Sequence, residues 1–315
     1  MRFLPLLIGF YLTSSTCASM PDYERQPGVA GKIVSVGSDT MANMMEFWAS
    51  EFETLYPQTS IQVDATGSST APPALTEGVA SIGAMSRPMK DSEIRAFERE
   101  FGYRPTVLQV ALDAIALFVE RQNPIPGLTL AQVDAIFSAT RYCGHGQGIM
   151  RWSQLGYNVD MDDNTIKVFG RNSVSGTYGS FKVLALCDGD FRNTVREQPS
   201  SASVVMSVSA NKSAIGYAAF GYKTAGVKAL PIGHTEQELV PLTIENVRAE
   251  RYPFSRFLYL IVNKPPGQEL PTLEREFLLF VLSKQGQALV ERDGYFAIGE
   301  DLLIRQRRLL SSAPK

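Results

Sequence analysis

The chain has 315 residues, 30 Lys and Arg against 32 Asp and Glu, a formal net charge of −2 and 44% hydrophobic residues. A near-neutral, slightly acidic chain argues against nucleic acid or an anionic membrane as partner. Its length is large for a single hydrophobic core, so two domains are expected.

The chain opens on Arg2, an apolar run from Phe3 to Leu12 and the small residues Thr16-Cys17-Ala18. These read as a secretory signal over 1–18, cleaved after Ala18 or Ser19. The apolar run is about ten residues, too short to span a bilayer. Cys17 raises lipidation as an alternative, but Ser14-Ser15-Thr16 lacks the aliphatic residue a lipid-attachment box needs. No later window holds about eighteen uninterrupted apolar residues, so a soluble, periplasmic mature chain is expected. Loss of Arg2 would change its balance to 29 minus 32, or −3.

Lys32 to Val36 reads as a strand, and Asp39 to Tyr56 as a helix whose Met41, Met44, Met45, Trp48, Phe52 and Leu55 form a core-facing stripe. Ile61 to Ala65 reads as a second strand and Thr70 to Val79 as a helix, with Pro72 and Pro73 in its first turn. Ser81 to Ala84 gives a short buried strand, and Asp91 to Phe101 an amphipathic helix. Strand and helix alternate, the pattern of an α/β fold with a mostly parallel sheet. Thr106 to Glu120 is a long strand-like run broken only by Asp113, and Phe257 to Asn263 is a second extended run. Both suit crossings between two lobes.

Between these runs lie helices over Thr129 to Ser138, Tyr178 to Cys187 and Ser201 to Ala210, and strands over Thr165 to Phe169 and Ile215 to Phe220. Two helices, Thr272 to Leu282 and Gln285 to Arg292, close the chain. Arg305, Arg307 and Arg308 beyond them read as a solvated surface run. Of three cysteines, Cys143 and Cys187 survive signal cleavage. In an exported protein the pair favours a disulfide, with a zinc site at Cys143-Gly144-His145 as the alternative.

Three corners share one chemistry: Gly37-Ser38-Asp39-Thr40-Met41, Thr66-Gly67-Ser68-Ser69-Thr70 and Gly170-Arg171-Asn172-Ser173-Val174-Ser175-Gly176-Thr177. Each ends an apolar run and opens a helical one, where free backbone N–H groups and about half a positive charge suit an anion. Arg171 adds a cation able to make a two-pronged contact. Ser86 and Arg87 follow a fourth strand end. Hydroxyls at such places are also ordinary N-caps, worth about 1 kcal/mol each without any ligand. Composition alone does not decide whether the corners meet. With only His145 and His234, and neither beside a serine-rich corner, the parts of a metal centre or an activated nucleophile are missing.

These segments, together with Ile82 to Pro88, Ala135-Ile136-Phe137-Ser138, Ile215-Gly216-Tyr217 and Lys284-Gln285-Gly286-Gln287, resemble in order and spacing the phosphate-binding proteins of ABC importers. The resemblance runs from about Lys32 to about Gly299. It implies a two-lobed, type II periplasmic binding protein with two hinge crossings, lobe 1 over 31–112 plus 257–315 and lobe 2 over 113–256. It further implies a monomer that closes on inorganic phosphate and delivers it to an inner-membrane ABC permease, with no cofactor, metal or catalysis. The implied ligand set is Thr40, Met41, Ser68, Ser69, Ser86, Arg171, Ser175, Gly176 and Thr177. Two departures stand out. Well-known members have an aspartate where Ser86 stands, which accepts the proton of hydrogen phosphate and so rejects sulfate; Ser86 can accept but also donate, which implies a weaker veto on sulfate, and Asp39 and Asp113 are the alternatives for the acceptor role. Many relatives also have Asp-Gly at Ser173-Val174. The remaining readings are a secreted phosphate-sensing or adhesion protein and a secreted phosphatase.

Overall fold

The structure, a computed structural model, describes residues 20–158 and 164–311. The expected signal segment and Cys17 lie outside the described residues. In chain order the elements begin with β1 (Gly31–Gly37), α1 (Ala42–Leu55), β2 (Thr59–Asp64), α2 (Ala71–Thr76), β3 (Ile82–Met85), α3 (Asp91–Phe101) and β4 (Thr106–Glu120). They continue with β5 (Leu128–Thr129), α4 (Leu130–Phe137), β6 (Lys167–Arg171), α5 (Gly176–Leu186), β7 (Arg196–Gln198), α6 (Ser201–Ser209) and β8 (Ala214–Ala219). The remainder are β9 (Val227–Ala229), β10 (Ile232–Gly233), α7 (Ile244–Arg248), β11 (Ser255–Val262), α8 (Thr272–Val281), α9 (Lys284–Arg292) and α10 (Glu300–Leu310).

The main sheet runs β2-β1-β3-β11-β4-β8-β6-β7, with β9 also on β4. β1 is parallel to β2 and β3, and β6 is parallel to β7 and β8, so each end of the sheet is a parallel α/β unit. The two units share β4. Its first part pairs antiparallel with β11, through Ala114, and from Ile115 to Val119 it pairs with β8. This is the two-lobed α/β architecture with two strands crossing between lobes. An extended chain of 15 residues is long enough to serve both sheets, and Ala111 to Val119 is buried throughout.

The stripe on α1 packs as its spacing predicts, with Met44, Met45, Trp48 and Phe52 buried. The Trp48 indole N–H donates to the Gly286 carbonyl, tying α1 to α9. Two expected helices start later. Asp39–Met41 and Ser68–Thr70 are single 3-10 turns before α1 and α2, where the chain turns at Gly37, the end of β1, and at Gly67, three residues beyond β2. Both glycines have positive φ, 147° and 138°. A side chain on Gly37 would strike the Ala84 carbonyl, and one on Gly67 would strike Val174.

The arginine tail has Arg305 and Arg308 exposed, as expected, and differs from expectation at Arg307. It belongs to α10, whose Leu303, Gln306 and Leu310 are buried, and the Arg307 guanidinium donates to the carbonyls of Leu279 and Leu282. Those carbonyls end α8, where unpaired acceptors attract a cation. Arg307 is therefore a structural cap rather than a solvated charge. Cys143 and Cys187 form a disulfide with Cα atoms 5.5 Å apart, which removes the zinc alternative for Cys143.

Candidate functional site

The carboxyl ends of β1, β3 and β6 face one another at the lobe junction, the position where ligands sit in open α/β sheets. Arg171 is the last residue of β6, two positions beyond the expected strand end, and Ser175 is the N-cap of α5. The Ser175 hydroxyl accepts from the Thr177 N–H at 3.1 Å and from the Tyr178 N–H at 3.4 Å, so its side chain is an ordinary cap. Thr40, Ser68, Ser86 and Thr177 are completely buried, and Arg171 and Ser175 are almost so.

The corners do meet. The hydroxyls of Thr40 and Thr177, 137 residues apart in sequence, are 2.9 Å from each other. Ser68 Oγ lies 3.3 Å from Ser86 Oγ and accepts from the Ser86 N–H at 3.0 Å. Gly176 packs so tightly that an added Cβ would collide with Ser68 Oγ and Ser86 Oγ. The Ser69 N–H donates to the Val174 carbonyl at 3.1 Å, a further bond between the two sides. Met41 is buried beside this cluster, but its N–H donates to Ser38 within the 3-10 turn.

Arg171 has five N–H groups, and most of them are committed. Nη2 donates to Asp39 Oδ1 at 2.7 Å and to the Pro199 carbonyl at 2.9 Å. Nη1 donates to Ser201 Oγ at 3.1 Å, and Nε to the Gln198 carbonyl at 3.3 Å. The expected two-pronged contact is therefore spent mainly on protein acceptors. Asp39 also accepts from the Ser201 N–H at the start of α6, at 3.4 Å. Its carboxylate ties β1's corner to the opposite unit.

One cation escaped the sequence reading. Arg256 is the second residue of β11, directly opposite Asp113 of β4 in the antiparallel register. Its Nη2 and Nε are 2.7 and 2.8 Å from Asp113 Oδ2. Nη1 donates to the Ser86 carbonyl and Nη2 to Thr177 Oγ1, each at 2.9 Å. A crossing strand thus carries a guanidinium that holds both sides of the cluster. Asp113 is fully buried; burial pushes its carboxyl up, while Arg256 and the Phe220 N–H pull it back. Arg87, which follows the end of β3, is turned to Glu93 at 2.6 Å and to Ser69 Oγ. A groove of ≈ 620 Å³ adjoins the cluster between the two sides, with Arg87, Ser180 and Arg256 in its wall. Two tyrosines close the other flank. Tyr222 donates to the Asp39 carbonyl and Tyr295 to the Thr40 carbonyl, and burial pushes both phenols upward.

A buried, cation-flanked ring of hydroxyls at strand ends is suited to a small oxyanion, and sequence comparison places the chain among proteins of that kind. Residues 24–285 match the PBP superfamily domain. The phosphate-binding protein PstS of Pseudomonas aeruginosa is 54% identical over 281 residues, covering 89% of this chain and 87% of that protein. The chain belongs to the PstS family of phosphate-binding proteins. Among solved PstS-like structures, a substrate-binding protein of a phosphate ABC transporter from Clostridium perfringens, described with bound phosphate, superposes with a TM-score of 0.72 at 28% identity. It covers 85% of this chain and 100% of its own. An ABC-type phosphate transport receptor from Vibrio cholerae gives a TM-score of 0.66 at 26% identity, over 84% of this chain and 100% of its own.

Proposed function

We propose that this chain captures inorganic phosphate between its lobes and presents the closed form to an ABC permease in the inner membrane. In this reading lobe 1 comprises 31–112 plus 257–315, lobe 2 comprises 113–256, and the protein works as a periplasmic monomer after removal of 1–18. The observation that carries it is the meeting of Thr40 with Thr177 and of Ser68 and Ser86 with Gly176, all buried, with buried Arg171 bonded to Asp39 next to Thr40. Ser69, Ser175 and Met41 act from behind this set. The Ser175 hydroxyl caps α5, Ser69 holds Val174, and Met41 is buried with its N–H bonded to the Ser38 carbonyl.

The hydroxyls now bond to one another, so an entering anion exchanges those bonds for its own and offsets part of its desolvation. The start of α5 adds the positive end of a helix dipole. Binding rather than catalysis fits the surroundings of the two histidines. His145 bonds within its own loop to Gln147, and His234 is exposed. Calorimetric titration with phosphate, paired with small-angle scattering, tests the reading. Saturable heat with a smaller radius of gyration is expected, and absence of binding would overturn it.

A further inference from the structure

Asp113 is the charge that interrupts the long apolar run of β4, and phosphate capture as read above makes no use of it. It is completely buried and faces Arg256 of β11, which is 8% exposed. The strand register pairs Arg256 with Asp113 and Ser255 with Ala114, after which β4 leaves β11 and pairs with β8 from Ile115. The ion pair therefore bridges the two crossing strands where they pass from one lobe to the other. Buried ion pairs stabilise a fold little more than apolar residues of the same volume would, because desolvation offsets their attraction. Packing alone is a weak reason for one at this place.

The reach of the guanidinium supplies a stronger reason. Nε and Nη2 lie 2.8 and 2.7 Å from Asp113 Oδ2, and Asp113 Oδ1 accepts the Phe220 N–H at 3.3 Å. Nη1 donates to the Ser86 carbonyl, just beyond β3 in lobe 1, at 2.9 Å. Nη2 donates to Thr177 Oγ1, in the first turn of α5 in lobe 2, also at 2.9 Å. Ser180 of α5 donates to the same Ser86 carbonyl at 3.2 Å. One planar group, rooted in the crossings, thus bonds each lobe with a different Nη atom. Arg171 and Asp39 also reach across, but each is rooted in its own lobe.

We propose that Arg256, held by Asp113, is a positioning residue that latches the two lobes together, and that breaking its bonds sets how fast the closed protein opens. This rests on the capture reading and deepens it. When the lobes swing apart, the Ser86 carbonyl and the Thr177 hydroxyl separate, and a guanidinium fixed to the crossing strands cannot follow both. At least one charge-assisted bond is then exchanged for water, a change of about ten- to a hundredfold in the closing equilibrium. Lysine would keep the charge and the bond to Asp113, but it is a point donor without the fork that spans both lobes.

Two variants test the latch. Arg256→Lys keeps the charge, and the double variant Asp113→Asn, Arg256→Gln removes both charges without stranding either. Stopped-flow phosphate binding gives the rates. Spin labels on Val79→Cys in lobe 1 and Met206→Cys in lobe 2, at positions 60% and 71% exposed, give the interlobe distance, since Cys143 and Cys187 are bridged. Both variants should release phosphate about tenfold faster or more, bind it at a rate within about twofold of the parent, and show longer label distances. Parental release from Arg256→Lys, with the neutral pair losing association rate instead, would overturn the latch, because Arg256 would then act only as a charge that attracts the ligand. Label distances unchanged in both variants would also overturn it, leaving phosphate capture intact. Absence of phosphate binding by the parent would overturn the capture reading, and the label distances in buffer would then decide the latch by the same criterion.

Discussion

Replacing Arg171 with alanine tests the lobe contact and the anion site together. The side chain is 1% exposed and makes four donor contacts, the shortest to Asp39 at 2.7 Å. Its removal leaves the Asp39 carboxylate, 8% exposed, with the Ser201 N–H at 3.4 Å as its remaining bond. Breaking one side of a buried pair costs about 3–5 kcal/mol, mostly for the stranded charge. For a chain of this size the Tm should fall by about 5–10 °C. Asp39→Ala strands Arg171 less completely, because three neutral acceptors remain to it. The double variant should then be less damaged than the sum by about 2 kcal/mol, the worth of a charge-assisted hydrogen bond. Urea unfolding of the four proteins without phosphate measures this coupling, and calorimetry should show phosphate affinity down by about a hundredfold in Arg171→Ala. A coupling below about 0.5 kcal/mol would refute the reasoning, since residues 132 apart in sequence would not be joined in solution.

Three further outcomes are expected. Gly176→Ala sets a methyl group against Ser68 and Ser86 and should hold the lobes apart, weakening phosphate by about tenfold or more and blocking compaction in small-angle scattering. Normal compaction in that variant would show that these surfaces do not meet. Asp293 has an oxygen, Oδ2, buried without a hydrogen-bond partner among the described residues, and burial pushes its carboxyl from 3.8 up to about 6. The folded state therefore holds more protons than the unfolded one between these values, so stability falls as pH rises from about 4 to about 6. Asp293→Asn should stabilise by about 1–3 kcal/mol at pH 7.5 and leave stability unchanged at pH 3.5, read by chemical denaturation; a gain equal at both pH values would exclude ionisation as its cause. The Cys143–Cys187 bridge closes a loop of 44 residues, so the Cys143→Ser, Cys187→Ser double variant should lose about 4 kcal/mol, with an unchanged midpoint of denaturation counting against the bridge.

The parts of the fold that were legible in the sequence are those with local causes. The methionine and aromatic stripe of α1, the long apolar run of β4 and the hydroxyl corner that opens α5 depend on neighbours within a few residues. Their boundaries slipped where a strand end needed a 3-10 turn before the helix proper, as at Asp39 and Ser68. Arg307 misled because a helix-end charge looks solvated in sequence until a second helix presents its carbonyls, as α8 does here.

The sequence by itself determined the alternation of strands and helices, the anion-ready corners and the pairing partners available to two cysteines. Tertiary structure alone decided that Arg171 is held by Asp39, and that Arg256, one charge in an apolar strand with no motif around it, reaches the hydroxyl ring. Both depend on strand register and on how two lobes meet, which are properties of residues more than a hundred positions apart. A local pattern encodes which donors a corner carries. Which acceptors consume them is fixed only when distant backbone and carboxylates arrive.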